Sequence, residues 1–517
     1  MKYEYSELDR KNLGWFPNDY TRATLISIKI LGKLRSLSNL QVDFSYPITA
    51  IAGRNGSGKT TLLGLAACAY GNNAKGYKLP GRKNSFYNHS DFFIQTPEDS
   101  KLSVSIRYQF LHDKWRSKKK EGRISAGWQE HNKWVGGRWG YSRRVKRTVV
   151  YFGIDRIVPD AERSVSKSYK RHFQSVDMMG WEKEVSEIVG RILGKEYASF
   201  HYKKHRTYKL PVVVSEDRSY SGFNMGAGEE ALFGLFSTIK ELPDGSLVLI
   251  DEIELGLHEE AQSRLIQELK TLCNERKLQI ICTTHSPKIL DSLPPEGRVF
   301  LEKISSTVSV IPGISSIFAS GKLSGNRNVE LDILVEDDVA QMIVETSLDP
   351  GIRSRVKVLP VGSSIAVMRH LAARYKEQRH PEICAILDGD KSASRAQHIK
   401  SFLDAVESPK NKAETQAWAD VRLSFLPGEM HPEGWVVGQR ENAQLGEFQS
   451  VFKLSLEQVN ELLQSCRLAG KHNEFFQASK KLNLDVQVVA YHLINSAFMS
   501  EPSELERINK FISSFLH

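Results

Sequence analysis

The stretch ITAIAGRNGSGKTTLLGLAACAY (residues 48–70) runs from an apolar strand through a glycine-rich turn into an apolar helix. Its centre, GRNGSGKT (53–60), matches G-x-x-x-x-G-K-[ST] in the strand–turn–helix context that the motif requires. Gly53, Gly56 and Gly58 let the backbone fold tightly, so that the N–H groups of the loop, with Asn55, Ser57 and Thr61, face phosphate. Lys59 is expected to neutralise the β- and γ-phosphates and Thr60 to ligate Mg²⁺, with the helix N-terminus adding a favourable field. A chance glycine-rich turn is the bland reading, and the order of strand, motif and helix argues against it. The expected cofactors are ATP and Mg²⁺ in an α/β fold.

Three further stretches extend the site. SLVLIDEIELGLH (246–258) is an apolar strand ending in Asp251, suited to Mg²⁺, and Glu252, suited to polarise the attacking water. LQIICT (278–283) is another buried strand, and the helix between the two gives the alternation of a parallel sheet. ICTTHSP (281–287) puts His285 past that strand, either as a satisfied strand-end histidine or as a sensor of the γ-phosphate. FNMGAGEEALFGLF (223–236) precedes the acidic strand.

In that order, the P-loop, the glycine-glutamate stretch, Asp-Glu and His resemble the ABC-type ATPase head of RecF and SMC proteins. The resemblance implies a homodimer, or a higher oligomer, in which the signature of one head caps ATP on the other. Gly228 and Glu229 match that signature, while Gly226 stands where the family usually has serine. Gln95 in FFIQTPED (92–99) is the matching Q-loop glutamine. LGLHEEAQSRLIQELK (255–270) also resembles small RecF-like and OLD-type ATPases, with His258 structural or near the dimer contact. The spacing from Thr60 to the signature lacks the sustained heptads of a coiled coil.

A second α/β pattern follows the polar stretch ASGKLSGNRN (319–328): strands LDILVE (331–336), VKVLPV (356–361) and ICAILD (383–388) alternate with helices. Glu336 ends the first strand, and Asp388 and Asp390 of AILDGDK end the third. Asp-Gly-Asp by itself is a common turn, and a haloacid-dehalogenase-like site also uses D-x-D. A preceding strand that carries Glu336 is instead the Toprim arrangement, whose hard oxygen ligands suit Mg²⁺ or Mn²⁺. Such a cluster supports phosphodiester chemistry.

An ABC-type ATPase followed by Toprim resembles the OLD family (overcoming lysogenisation defect), whose relatives include the Gabija nuclease and OLD-type effectors attached to some retrons. The resemblance implies that Glu336, Asp388 and Asp390 are metal ligands, with Glu433 (or Glu429) of LPGEMHPEGWV a further one. Asp337 replaces the usual glycine, and Ala340 stands where an acid is often found. Lys391 is either a partner of the scissile phosphate or an exposed strand-end lysine. The expected organisation is an ATPase domain over 1–318 with a basic, tryptophan-containing insertion at about 111–147, a linker over 319–328, a Toprim domain over 329–445 and a helical region over 446–517.

Composition sets the outer bounds. The chain has 517 residues and a formal net charge of +10, which favours a polyanionic partner. Twelve Lys or Arg against Glu121 and Glu130 crowd residues 114–147, with Trp115, Trp128, Trp134 and Trp139 interleaved. That region reads either as a surface that tracks phosphates and stacks bases, on DNA or an RNA–DNA hybrid, or as a solvated loop. Five cysteines without a C-x-x-C pair, no apolar leader and no membrane-length apolar run imply a soluble cytoplasmic protein. Together these features predict an ATP-regulated, metal-dependent DNA endonuclease, and the OLD resemblance implies a role in anti-phage defence, with retron association and a partner such as a reverse transcriptase or second effector. The alternative is an ATP-switched DNA-binding sensor or clamp with a degenerate Toprim site.

Overall fold

The computed structural model describes residues 3–516, apart from 73–75, 79–81, 97, 100–102, 113–125, 135–138, 142–143, 163–169, 207, 217, 305–306, 317, 320–328, 378–380, 408, 410 and 439–443. Most of the expected linker therefore lies outside the described residues. The chain divides into two compact units, Lys2–Asn326 and Arg327–His517.

The first unit is built on a six-stranded sheet of β1 (Ile48–Gly53), β2 (Val149–Phe152), β3 (Leu247–Ile250), β4 (Gln279–Thr284), β5 (Arg298–Ile304) and β6 (Thr307–Pro312). The order across it is β6-β5-β1-β4-β3-β2, parallel throughout except for β6 on β5. Alternate residues feed two apolar cores: Val248, Ile250, Ile280 and Cys282 on one face, Leu247, Leu249 and Ile281 on the other. Burial on both faces is why these strands read as continuous apolar runs. Helix α1 (Lys59–Cys68) follows the P-loop, α2 (Ala227–Glu241) carries the signature, and α3 (Glu259–Arg276) joins β3 to β4.

An antiparallel sheet covers one side of this unit, with Thr24–Leu34 paired to Val104–Leu111. The basic stretch expected as an insertion supplies two of its strands, Ala126–Lys133 and Trp139–Tyr141, the former paired along the whole of Val104–Leu111. Gln129 and His131 point inward while Trp128 is 48% exposed, a strand period that the surrounding charges hide. Trp139 stacks on His89 at 3.9 Å, and Arg147, 7% exposed, donates to the Gly245 carbonyl and to Gln279 Oε1, both at 2.7 Å. Cations 114, 116, 118–120, 123, 138 and 143 lie outside the described residues. All five cysteines are buried free thiols. Among the described residues no helix is long and apolar enough to cross a membrane.

The second unit holds a four-stranded parallel sheet of β7 (Leu331–Val335), β8 (Val356–Pro360), β9 (Glu382–Leu387) and β10 (Leu423–Phe425), ordered β8-β7-β9-β10. One face packs with the helices after residue 446 into a single core containing Ile333, Ile386, Leu463 and Leu493. Val367, Leu371 and Phe402 close the other face.

The helix Glu7–Trp15 is tied to α3 by an ion pair between Asp9 and Lys270 at 2.8 Å, both side chains fully buried. Burial alone would raise the Asp9 carboxyl, but the Lys270, Ser6 and Tyr46 hydrogen bonds outweigh it and hold it below its ordinary value. Removing one partner strands the other charge in the core. Asp9→Ala is expected to cost about 3–5 kcal/mol in denaturant unfolding, and the double change Asp9→Leu with Lys270→Met clearly less.

Candidate functional site

Three neighbouring parallel strands, β1, β4 and β3, end on the same edge of the sheet, where such folds bind ligands. That edge collects the P-loop, His285 and the Asp251–Glu252 pair. Gly53, Gly56 and Gly58 have φ of 150°, 76° and 100°, the left-handed region that glycine enters without strain. A Cβ on Gly58 would meet Leu37 at 2.4 Å, and one on Gly53 the Leu301 carbonyl at 2.6 Å. Gly53 and Gly58 are therefore restricted by space as well as by φ, and Gly56, with open space around it, by φ alone.

Lys59 is 7% exposed and donates to the Gly53 carbonyl at 2.8 Å, its ammonium folded over the loop. Burial lowers its pKa, against the pull of Glu252, Asp251 and Glu254. Thr60 Oγ1 lies 3.3 and 3.2 Å from the two Asp251 carboxylate oxygens. The hydroxyl and carboxylate thus face each other as a pair that would share one Mg²⁺ shell. Asp251 is 2% exposed and is held by Thr283 Oγ1 at 2.6 Å. A buried hydroxyl with no partner, Ser57 Oγ, sits inside the loop. The donors and acid present fit a nucleoside triphosphate with Mg²⁺.

A cleft of about 360 Å³ opens here, lined by Arg54, Asn55, Glu252 and His285. Three of those four residues were expected from sequence, and Arg54 was not singled out. The His285 N–H donates to Glu254, and burial, then the Lys59 ammonium, lower its imidazole below its ordinary value. It is therefore a neutral group at neutral pH, able to hydrogen-bond a phosphate oxygen through one nitrogen. Gln95 is exposed and does not line this cleft.

The signature lies at the start of α2, with Gly226 at the N-cap and no side-chain cap. A Cβ on Gly228 would stand 2.1 Å from the Gly256 carbonyl, so the helix start and the loop after β3 touch backbone to backbone. Glu229 is turned inward, accepting from the hydroxyls of Tyr197 and of Tyr220, the latter at 2.8 Å. Tyr220 lies nine residues before Glu229 and Tyr197 thirty-two, and neither was singled out from sequence. His258 caps α3, its Nδ1 accepting from the Ala261 N–H at 3.1 Å.

In the second unit β7, β8 and β9 again end on one edge. Glu336 is 8% exposed and its two oxygens accept from the Asp388 N–H at 3.1 Å and the Ser364 N–H at 3.0 Å. Burial raises its pKa. Asp388, 9% exposed, has an Oδ1 without a partner, as has Asp390. Burial first, then the charges of Glu336, Asp337 and Asp390, push the Asp388 carboxyl up to about 7. Lys391 binds Asp390 Oδ2 at 3.0 Å. Gly389 lies under the Gly428 carbonyl, where a Cβ would come within 2.3 Å.

Asp337 and the expected ligand Glu433 have other partners. Asp337 is the N-cap of α4 (Asp338–Ser347), accepting from the Ala340 N–H at 2.8 Å, and Ala340 is fully buried in the core. Glu433 pairs with His472 Nδ1 at 3.0 Å, beside His431 paired to Glu474; Glu429 is exposed. Among the described residues no three His, Cys, Asp or Glu side chains gather as a ready-made metal cage.

Residues 161–291 match the family model described as AAA domain, putative AbiEii toxin, Type IV TA system. The match lies within the first unit and spans α2, β3, α3 and β4. The chain is 23% identical to the Septu protein PtuA of Bacillus thuringiensis over 307 residues, 51% of this chain and 72% of that protein. It is 27% identical to the Retron Vc95 probable ATPase of Vibrio cholerae serotype O1 biovar El Tor over 157 residues, 27% of this chain and 30% of that protein. Among solved structures, the SMC head domain from Thermotoga maritima aligns with 56% of this chain and 98% of its own, at 16% identity and TM-score 0.33. A RecF structure from the RecFOR pathway aligns with 56% of this chain and 99% of its own, at 12% identity and TM-score 0.33.

The raised Asp388 pKa has a measurable consequence. Between 3.8 and about 7 the folded chain holds a proton that the unfolded chain has released. Stability contributed at this position is thus present at low pH and falls as the pH rises through that window. Without added metal, Asp388→Asn is expected to gain more stability over wild type at about pH 8 than at about pH 4. Urea unfolding at both values checks this, and equal shifts at both would contradict it.

Proposed function

We propose that this chain is an ATP-controlled, divalent-metal-dependent DNA endonuclease of OLD type that serves anti-phage defence. The observation that carries the nuclease reading is the Glu336–Asp388–Asp390 edge. Buried Glu336 and Asp388 stand beside half-buried Asp390, two oxygens lack a partner, and Asp388 is driven towards its neutral form. Such an arrangement is unfavourable by itself and is relieved by a cation. Glu336, Asp388 and Asp390 would hold Mg²⁺ or Mn²⁺. The ion, when bound, supplies charge to the phosphodiester that is cut. Water can complete its shell, which is why oxygen-ligated Mg²⁺ needs no full protein cage.

In the first unit Lys59, Thr60 and the P-loop N–H groups would bind ATP, and Glu252 would polarise the attacking water. The signature on α2 would close a homodimer of heads over the nucleotide. The net charge of +10 suits a DNA partner. The names of two relatives, a Septu protein and a probable retron ATPase, support placing the chain in defence.

One observation favours a second reading. Asp337 is used as a helix cap and Ala340 lies in the core, so neither supplies a second ligand set. A site limited in this way suits an ATP-switched DNA-binding clamp that acts within a complex.

Asp388→Ala is expected to abolish nicking and cutting of plasmid DNA in Mg²⁺ or Mn²⁺ while leaving ATP binding intact. Wild-type protein that binds DNA in ATP but never cuts it would favour the clamp. Glu252→Gln is expected to lower ATP turnover by about a hundredfold or more while nucleotide is still bound. A phosphate-release assay beside equilibrium binding of a fluorescent ATP analogue reads both quantities.

A further inference from the structure

Glu252 carries the water-polarising carboxylate, and its backbone is unusual. Its φ is 48°, in the left-handed region, although it has a full side chain. Non-glycine residues avoid that region unless the surroundings hold them there. Here the surroundings do hold it.

Two side chains do, beside main-chain bonds from the Ile253 N–H to the Thr283 carbonyl at 3.0 Å and from the Leu255 N–H to the Glu252 carbonyl at 3.1 Å. Arg156, in a short helical turn after β2 (Ile154–Ile157), sends one guanidinium to two successive carbonyls. Its Nη1 donates to the Asp251 carbonyl and its Nη2 to the Glu252 carbonyl, the latter at 2.7 Å. The same Nη1 also donates to the Gly153 carbonyl at 3.0 Å, which fixes the fork to its own turn. On the other side, Thr283 Oγ1 accepts from the Glu252 N–H at 2.7 Å and donates to Asp251 Oδ1 at 2.6 Å. Thr283 is fully buried.

The peptide plane before Glu252 is therefore gripped at both its N–H and its carbonyl. The plane after Glu252 is gripped at its carbonyl. These two planes set φ and ψ of Glu252, and with them the direction in which its side chain leaves the backbone. That direction is into the cleft shared with Arg54, Asn55 and His285. A planar fork is what spans two adjacent carbonyls; a single ammonium would not.

We propose that Arg156 and Thr283 are positioning residues for hydrolysis: they clamp the backbone of Glu252 in its left-handed conformation and so aim its carboxylate at the attacking water. The inference rests on the reading of the first unit as an ATPase with Glu252 as its polarising acid. Arg156 lies outside every motif that identified the site. It acts through the backbone of Glu252, so its role is aim and not nucleotide affinity.

The test is steady-state ATP turnover by the full-length protein with Mg²⁺, beside equilibrium binding of a fluorescent ATP analogue and thermal melting. The set is wild type, Arg156→Gln, Thr283→Val, Thr283→Ser and Glu252→Gln. Loss of aim is expected to lower kcat by about tenfold to a hundredfold in Arg156→Gln and Thr283→Val, with KM for ATP within about twofold of wild type. Thr283→Ser keeps the hydroxyl and is expected to restore most of the turnover lost in Thr283→Val.

Wild-type kcat in Arg156→Gln, with Glu252→Gln inactive, would overturn the clamp while leaving the ATPase reading in place. Loss of nucleotide binding or of cooperative melting in Arg156→Gln and Thr283→Val, together with no recovery in Thr283→Ser, would assign both residues to folding and overturn it too. Full turnover in Glu252→Gln would instead remove Glu252 as the acid, and the clamp with it.

Discussion

Parallel pairing of β1, β4 and β3 is the constraint on which the first unit depends. Parallel strands in one sheet send their carboxyl ends to the same edge, whatever their separation along the chain. Thr60 and Asp251 are 191 residues apart, yet their side chains meet at 3.2 Å because β1 and β3 flank β4. The same pairing delivers His285 from β4. The apolar faces of these strands hold the register, and the polar groups emerge only where the strands end. Core and chemistry are thus separated along each strand.

The second unit repeats this logic with less complete compensation. Two of its four parallel strands, β7 and β9, direct acids to one edge, where Lys391 pairs with Asp390 and one oxygen each of Asp388 and Asp390 has no partner. Burial and mutual repulsion leave Asp388 near neutrality, which is a cost to the fold. Proteins carry such costs where a ligand relieves them. In the first unit the comparable acid, Asp251, is instead shared among Thr60, Thr283 and Tyr151 hydroxyls. The two edges therefore differ in how protein groups satisfy their acids: Asp251 by hydroxyls, Glu336 by backbone N–H groups and Asp390 by Lys391.

Legibility in the sequence followed locality. The P-loop could be read because strand, turn and helix are consecutive and glycine has few reasons to occur at 53, 56 and 58 together. The strands of both parallel sheets could be read because burial on both faces leaves an unbroken apolar run. The basic stretch, expected as an insertion, supplies two strands that its sequence did not reveal. On a strand of a half-exposed sheet only alternate residues face the core, and there the inward ones are Gln129 and His131 rather than aliphatic residues. Gln95 was placed at the nucleotide by its neighbours in sequence, and it stands exposed. Glu229 was read as a residue for a partner's nucleotide, and the phenols of Tyr197 and Tyr220 turn it inward.

The sequence by itself determined the elements and their residue types: a phosphate loop, a strand that ends in acids, a histidine after another, and a second α/β pattern with its own acids. It could do so because backbone preference, apolar periodicity and side-chain type are local properties. Only the tertiary structure decided which of those groups meet. Strand order put Asp251 beside Thr60, helix capping withdrew Asp337, and His472 engaged Glu433. It also brought Arg156 and Thr283 to the backbone of Glu252, since a carbonyl held by a distant guanidinium leaves no trace in either local sequence.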